Sequence, residues 1–120
     1  MGTLQGSWIW YELMTPDPDG AKAFYDAVIG WNISTGHGND TDYGFLSNAD
    51  GSMVGGLLRL SKEMTDRGTR PCWLGYLGVD DVDASLAAIA LAGGTTLMPA
   101  FDIPGTGRIA MVADCCGAPF

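Results

Sequence analysis

Two halves of this chain carry the same punctuation at the same spacing. A shift of 64 residues lays Leu13 on Leu77, Asp17 on Asp81, Gly30 on Gly94, Ile33 on Leu97 and Asp50 on Asp114. The matches are few, but each falls on a position with a structural job: strand core, helix cap, helix stop, following strand and hairpin turn. Repetition at this length means one supersecondary unit used twice, each copy needing a neighbour to cover its apolar face. The spacing predicts strand–helix–strand–strand–strand in the first half. In the second half the last strand is missing, because the sequence reaches Phe120 where that strand is due to begin.

The first half opens on "WIWYELMTPDPDGAKAFYDAVIGW". Residues 7–15 alternate with period two and are rich in Trp, Ile and Tyr, which predicts a strand. Asp17 is an expected N-cap, Pro18 suits the first helical position and Asp19 favours the positive end of the helix. Ala21, Phe24, Tyr25, Val28 and Ile29 follow at helical spacing, and Gly30 is placed to stop the helix. Short strands are expected at about residues 31–35, 42–47 and 53–60, with "GHGND" and "NADG" as turns. The polar run 61–70 reads as a connection between module one (about 7–60) and module two (about 71–120). In module two, residues 72–79 predict a strand, 81–91 a helix ended by Gly93 and Gly94, and 95–100 and 108–113 two further strands. The expectation is a single α+β domain over residues 1–120.

Composition excludes several classes of function. The formal net charge of −8 repels phosphate backbones, which argues against nucleic acid. No run of about 18 apolar residues suggests a membrane span, and no signal-peptide pattern opens the chain, so a cytoplasmic protein is expected. Cys72, Cys115 and Cys116 are too few, and too poorly spaced, for a disulfide framework or a cysteine metal site, and read as reduced thiols.

The residues quoted above carry a resemblance. "WYELMTPDPDGAKAFYDAVIGW" resembles the first strand and helix of the vicinal oxygen chelate superfamily, the glyoxalase, bleomycin-resistance and extradiol-dioxygenase group. "LGVDDVDASLAAIALAGGTTLMPAFDIPGTGRIAMVADCCGAPF" resembles a second module of the same kind. The closest flavour is a hydroxylase-like or glyoxalase-like set of unsettled function. The resemblance covers about residues 7–120 and implies two βαβββ modules, helices on the convex faces and a ligand in the concave pocket. It also implies where a metal would be held: seven residues before the helix-opening Asp, and four after the hairpin Gly. Those positions are Trp10, Leu74 and Gly55, and the fourth falls beyond Phe120. None of the three offers a side-chain donor for a divalent cation. The expectation is therefore a member of the fold without the metal, and no cofactor.

Strand alternation, with Tyr11, Leu13, Leu77 and Val79 facing the helices, puts Trp8, Trp10, Glu12, Met14, Met53, Leu57, Arg59, Cys72, Leu74 and Tyr76 on the concave side. Trp8, Trp10, Met14, Met53, Leu57, Arg59, Leu74 and Tyr76 are the expected ligand-binding residues, for a small apolar or aromatic molecule. The competing reading of such a wall is ordinary core or a subunit interface. Glu12 amid aromatics must be solvated, paired or protonated; Arg59 is its expected partner, and failing that Glu12 is a candidate catalytic acid or base. His37, in a glycine turn, reads as a solvated loop residue. Arg108 reaches either a ligand or a carboxylate. The "CC" pair reads as incidental. Three functions remain open: a metal-free binding protein, a lyase or dioxygenase-like enzyme using Glu12 or an unconventional metal, and a structural or regulatory dimer. An open sheet edge in module two predicts a homodimer that covers it.

Overall fold

The computed structural model describes residues 5–36 and 43–120. Its elements run β1 (Trp8–Thr15), α1 (Pro18–Val28), β2 (Asn32–Ser34), β3 (Tyr43–Ser47), β4 (Met53–Arg59), α2 (Lys62–Asp66), β5 (Cys72–Leu77), α3 (Val82–Leu91), β6 (Thr95–Ile103) and β7 (Gly107–Ala113). The fold is α+β. The chain divides into two compact units, Trp10–Gly75 and a second made of Met1–Ile9 with Tyr76–Phe120.

In the unit Trp10–Gly75, the Pro/Asp corner does what its residues dictate. Asp17 Oδ1 accepts the Gly20 N–H at 3.0 Å, and Pro18 fills the first turn. At the other end Gly30 takes a φ of +83° and donates its N–H to the Tyr25 carbonyl, which is the left-handed stop that glycine supplies without strain. The sheet has the order β2-β3-β4-β1-β5. Strands β1 and β4 are parallel, with Tyr11 opposite Gly55, Glu12 opposite Gly56 and Leu13 opposite Leu57. Strand β4 is antiparallel to β3 on its other edge. The core under α1 is Leu13, Ile33, Leu46 and Leu57, packed by Ala21, Tyr25, Trp31 and Val54.

Leu57 is therefore corrected. Alternation counted along β4 alone placed it on the ligand side. Its register partner is Leu13, so it shares Leu13's helix-facing side and is 0% exposed. The slip arises at a bulge. Ser47 pairs with Met53 and Leu46 with Gly55, so one extra residue, Val54, interrupts the alternation. Arg59, two residues beyond Leu57 and opposite Thr15, follows Leu57's parity rather than that of Glu12.

The polar connection 61–70 contains the short helix α2. Ser61 Oγ accepts the Met64 N–H at 3.2 Å, and the pairs Lys62–Asp66 and Glu63–Arg67 lie one helical turn apart at 2.7 Å. The cap and i,i+4 charge spacing were present in "SKEMTDR"; the absence of an apolar face hid the helix.

In the second unit Asp81 caps α3 through the Ala84 N–H at 3.0 Å, and Gly93, with φ +92°, ends it. The helix stop thus falls on Gly93, one residue before the Gly94 that the 64-residue shift selects. Strand β6 runs on through Pro99 to Ile103, longer than expected. It bends at two register shifts against β7, one spanning Pro99, and a bulge is where a strand tolerates proline. After β7 the chain turns at Gly117 (φ +91°), 66 residues after Gly51 (φ +87°) in the first hairpin. Ala113 then bridges Pro119 as Ser47 pairs with Met53. The repeat therefore lengthens by two residues through its second half, and Asp114 occupies the turn position of Asn48. Among the described residues no helix is long and apolar enough to cross a membrane.

Candidate functional site

The side of the β1–β4–β3 sheet away from α1 holds a connected polar pair inside an aromatic wall. Trp10 and Glu12 are two residues apart on β1 and so share a face; Tyr43 and Phe45 do the same on β3. Trp10 Nε1–H donates to Tyr43 Oη at 3.0 Å, and the Tyr43 hydroxyl donates to Glu12 Oε2 at 2.9 Å. Phe45 stands edge-on to both Trp10 (centroids 6.5 Å) and Tyr43 (5.5 Å). Glu12 is 6% exposed, whereas Phe45 is 46% exposed. The buried end of the cluster is thus a carboxyl group with a named donor, and the open end is an aromatic ring.

Gly56 makes this geometry. It lies opposite both Glu12 and Phe45, and a Cβ built there would overlap the Tyr43 hydroxyl. The bare backbone lets the phenol cross β4 and reach the carboxylate on β1. Burial holds the Tyr43 phenol above its ordinary range. The Trp10 N–H opposes that rise, and the negative charge of Glu12 and its hydrogen bond add to it. A raised phenol keeps its proton, so its contribution to stability is complete below the unfolded value of about 10 and is lost as pH rises through the higher folded value. In an ultraviolet titration the Tyr43 phenol is expected to ionise above the ordinary tyrosine range, and Tyr43→Phe removes that late step. A titration in which the variant keeps it would contradict the burial of this hydroxyl.

The expected ligand-binding residues separate. Trp10, Met14, Met53, Leu57, Arg59 and Leu74 belong to the unit Trp10–Gly75; Trp8 and Tyr76 belong to the other. Met14 shares the face of Glu12 and is buried, and Met53 is 51% exposed with its sulfur 3.6 Å from Ser47 Oγ. Leu57 is core. Leu74 is buried, and Tyr76 lines a cavity in the second unit, as Leu77 and Val79 do. Glu12 takes its hydrogen bond from Tyr43, in place of the Arg59 partnership expected from parity. Arg108 resolves to carboxylates: its guanidinium meets Asp83 through two bonds of 3.0 Å and Asp102 at 3.2 Å. Cys72 is half-buried, and burial pushes its thiol upward; Cys115 and Cys116 are exposed, with sulfurs 3.9 Å apart. His37 lies outside the described residues.

Tyr43 and Phe45 are the site residues that sequence reasoning missed. Their signal was present: in "YGFL" two aromatics alternate with Gly44 and Leu46, so one parity goes to the core and the other to the site. The pair Gly55-Gly56 was a second signal, of a strand crossed closely by other groups.

The metal implied by the resemblance does not fit these residues. At Gly55 a Cβ would strike the Tyr11 carbonyl, so this backbone admits no ligating side chain there. Trp10 spends its one polar hydrogen on Tyr43, and Leu74 has no donor atom. Among the described residues no group of three or more His, Cys, Asp or Glu side chains is arranged to hold a metal ion.

Comparison with known proteins bears on the fold and the family. The Glyoxalase/Bleomycin resistance protein/Dioxygenase superfamily matches over residues 9–120. A Mycobacterium tuberculosis protein named "Putative glyoxylase CFP32" is 34% identical over 116 residues, covering 95% of this chain and 44% of the relative. The "Anthracycline biosynthesis protein DnrV" of Streptomyces peucetius is 29% identical over 129 residues, covering 96% of this chain and 46% of the relative. The chain thus spans less than half the length of these relatives. A solved structure of an uncharacterized protein from Methanosarcina mazei aligns over 94% of this chain and 89% of its own, with a TM-score of 0.50 at 18% identity, and shares the fold.

Proposed function

Because the chain belongs to the Glyoxalase/Bleomycin resistance protein/Dioxygenase superfamily, we propose that it is a binding module of that superfamily which takes a small apolar or aromatic molecule without a metal. The observation that supports this most is the Trp10–Tyr43–Glu12 chain beneath the exposed Phe45 ring. Aromatic walls with few, well-placed polar groups are what small-molecule sites consist of. A flat ligand gains stacking from Trp10 and Phe45, and a polar substituent exchanges hydrogen bonds with the Tyr43–Glu12 couple. The donor set argues against a divalent ion: among the described residues Glu12 is the one buried carboxylate, and it already accepts a hydroxyl.

A thermal-shift screen of planar aromatic compounds tests the reading. Hits are expected to raise the melting temperature of the wild type and to lose most of that shift on Trp10→Ala. Elemental analysis of protein purified without chelator is expected to find well under one divalent ion per chain. Hits that survive Trp10→Ala would remove the ligand from this face, and a stoichiometric ion would remove the metal-free reading. The hydrogen bond from Tyr43 to Glu12 also favours a second reading, in which the couple moves a proton on a bound substrate. Turnover of a hit compound that Glu12→Gln abolishes without weakening binding separates the two.

A further inference from the structure

The turn after β7 carries two thiols side by side, and the geometry points to a site there that captures a trivalent metalloid bearing one organic group. Cys115 and Cys116 are both exposed, with sulfurs 3.9 Å apart. Asp114 fixes the backbone under them. Its Oδ1 accepts the N–H groups of Cys116 at 2.8 Å and Ala118 at 3.0 Å. Its own N–H donates to the Ala118 carbonyl at 2.9 Å, and its C=O accepts the Gly117 N–H at 3.0 Å. The N–H groups of Ala118 and Cys116 hold the Asp114 carboxyl below the usual carboxylate range, so the turn keeps its ionised acceptor at neutral pH.

Geometry separates three uses of such a pair. A disulfide between sequence neighbours is strained, because adjacent Cα atoms lie about 3.8 Å apart and disulfides prefer about 4.4–6.8 Å. A thiophilic metal ion such as zinc takes four donors. Among the described residues no group of three or more His, Cys, Asp or Glu side chains is arranged to hold an ion. A trivalent metalloid with one organic substituent needs only two sulfurs, and thiolates are the soft ligands such a centre prefers. Two bonds of about 2.3 Å, the length of a metal–thiolate bond, reach across the 3.9 Å gap without moving the backbone.

The organic substituent has a seat. Cys115 lines a cavity of about 220 Å³ with Ile89, Ala92, Gly94, Asp114 and Phe120. Ile89 lies in the last turn of α3 and Ala92 caps it, while two backbone bonds to Val112 hold Phe120 in place. The hydrocarbon of these walls suits a phenyl ring. Capture needs no oxidant. With an organoarsine oxide, two arsenic–sulfur bonds form and the arsenic–oxygen double bond breaks. Both thiol protons leave with that oxygen as one molecule of water; arsenic stays trivalent and neither sulfur is oxidised. All these residues belong to the second unit, whereas Trp10, Glu12 and Tyr43 belong to the other, so capture here does not depend on the ligand proposed there.

The probe is phenylarsine oxide, with methylarsine oxide as its smaller counterpart. Intact-mass spectrometry of the reduced 120-residue chain is expected to show one phenylarsenic group per chain, retained against an equimolar free dithiol. Cys115→Ser and Cys116→Ser are each expected to surrender it to the competitor, and Cys72→Ser to keep it. Against the same dithiol, the wild type is expected to hold the phenyl compound on the order of tenfold more tightly than the methyl compound, the effect of burying a ring. Ala92→Phe, which fills the cavity from an exposed position, is expected to remove most of that preference. If this variant does not fold, the comparison of the two compounds on the wild type decides. An adduct that either serine variant retains as the wild type does overturns the proposal. So does equal retention of the two compounds by the wild type, or a preference that folded Ala92→Phe leaves intact. Cys115 and Cys116 found joined to each other in protein purified without reductant also overturns it, because the two thiols would then be spent.

Discussion

Leu57→Ala is expected to cost about 2–5 kcal/mol of folding stability, the range for truncating a fully buried leucine. Its side chain is 0% exposed and packs with Leu13, Ile33 and Leu46 under α1. The strand on each side of β4 is hydrogen-bonded in register, so the backbone cannot settle into the vacated space without breaking pairs with β1 or β3. Most of the cavity should persist, which places the cost in the upper half of the range. Met53→Ala is the control. It lies on the same strand, is half exposed, and is expected to change stability by no more than about 0.5 kcal/mol. Urea denaturation read by circular dichroism measures both. A loss below about 1 kcal/mol for Leu57→Ala would return this residue to the ligand face and undo the register argument.

Gly56→Ala is expected to have the next largest effect, and by a different route. The added methyl group claims the space of the Tyr43 hydroxyl, and the ring, at the end of a rotatable side chain, swings away more easily than two paired strands separate. Glu12 then loses a donor in a nearly closed site, and the cost of a buried polar group deprived of its hydrogen bond is about 1–3 kcal/mol. Tyr43→Phe deletes the same bond without moving the ring. If displacement of the hydroxyl is the cause, the double variant is expected to lose clearly less than the sum of the two single losses. Additive losses would show that the methyl group acts on the strands instead. Ligands found with the wild type are expected to lose affinity in both single variants.

The duplicated module was legible because its signals are local. Asp17 and Asp81 cap their helices from their own side chains, and positive-φ glycines end both. The faces of β4 were not legible. A single bulge residue, Val54, reverses the parity of every later position, and nothing in "SMVGGLLR" announces it. The partner of Glu12 was missed for a related reason: parity along one strand says nothing about which side chain crosses from the next strand but one. That crossing depends on Gly56: the glycine pair signals a close approach, but which side chain makes it is visible only when β1, β3 and β4 are laid side by side. Helix α2 was missed because caps and charge pairs were outweighed by the lack of an apolar stripe.

The aromatic stack on α1 has an optical consequence. Tyr25 stacks on Trp31 at 5.5 Å and accepts a hydrogen bond from Trp73, whose ring stands edge-on 5.9 Å from Trp31. With Trp10, three of the chain's four indoles sit in the unit Trp10–Gly75. Intrinsic emission is thus a spectator stationed almost wholly in one half of the molecule. A melt followed by fluorescence tracks that half, and any gap between it and the far-ultraviolet curve measures how independently the remainder comes apart.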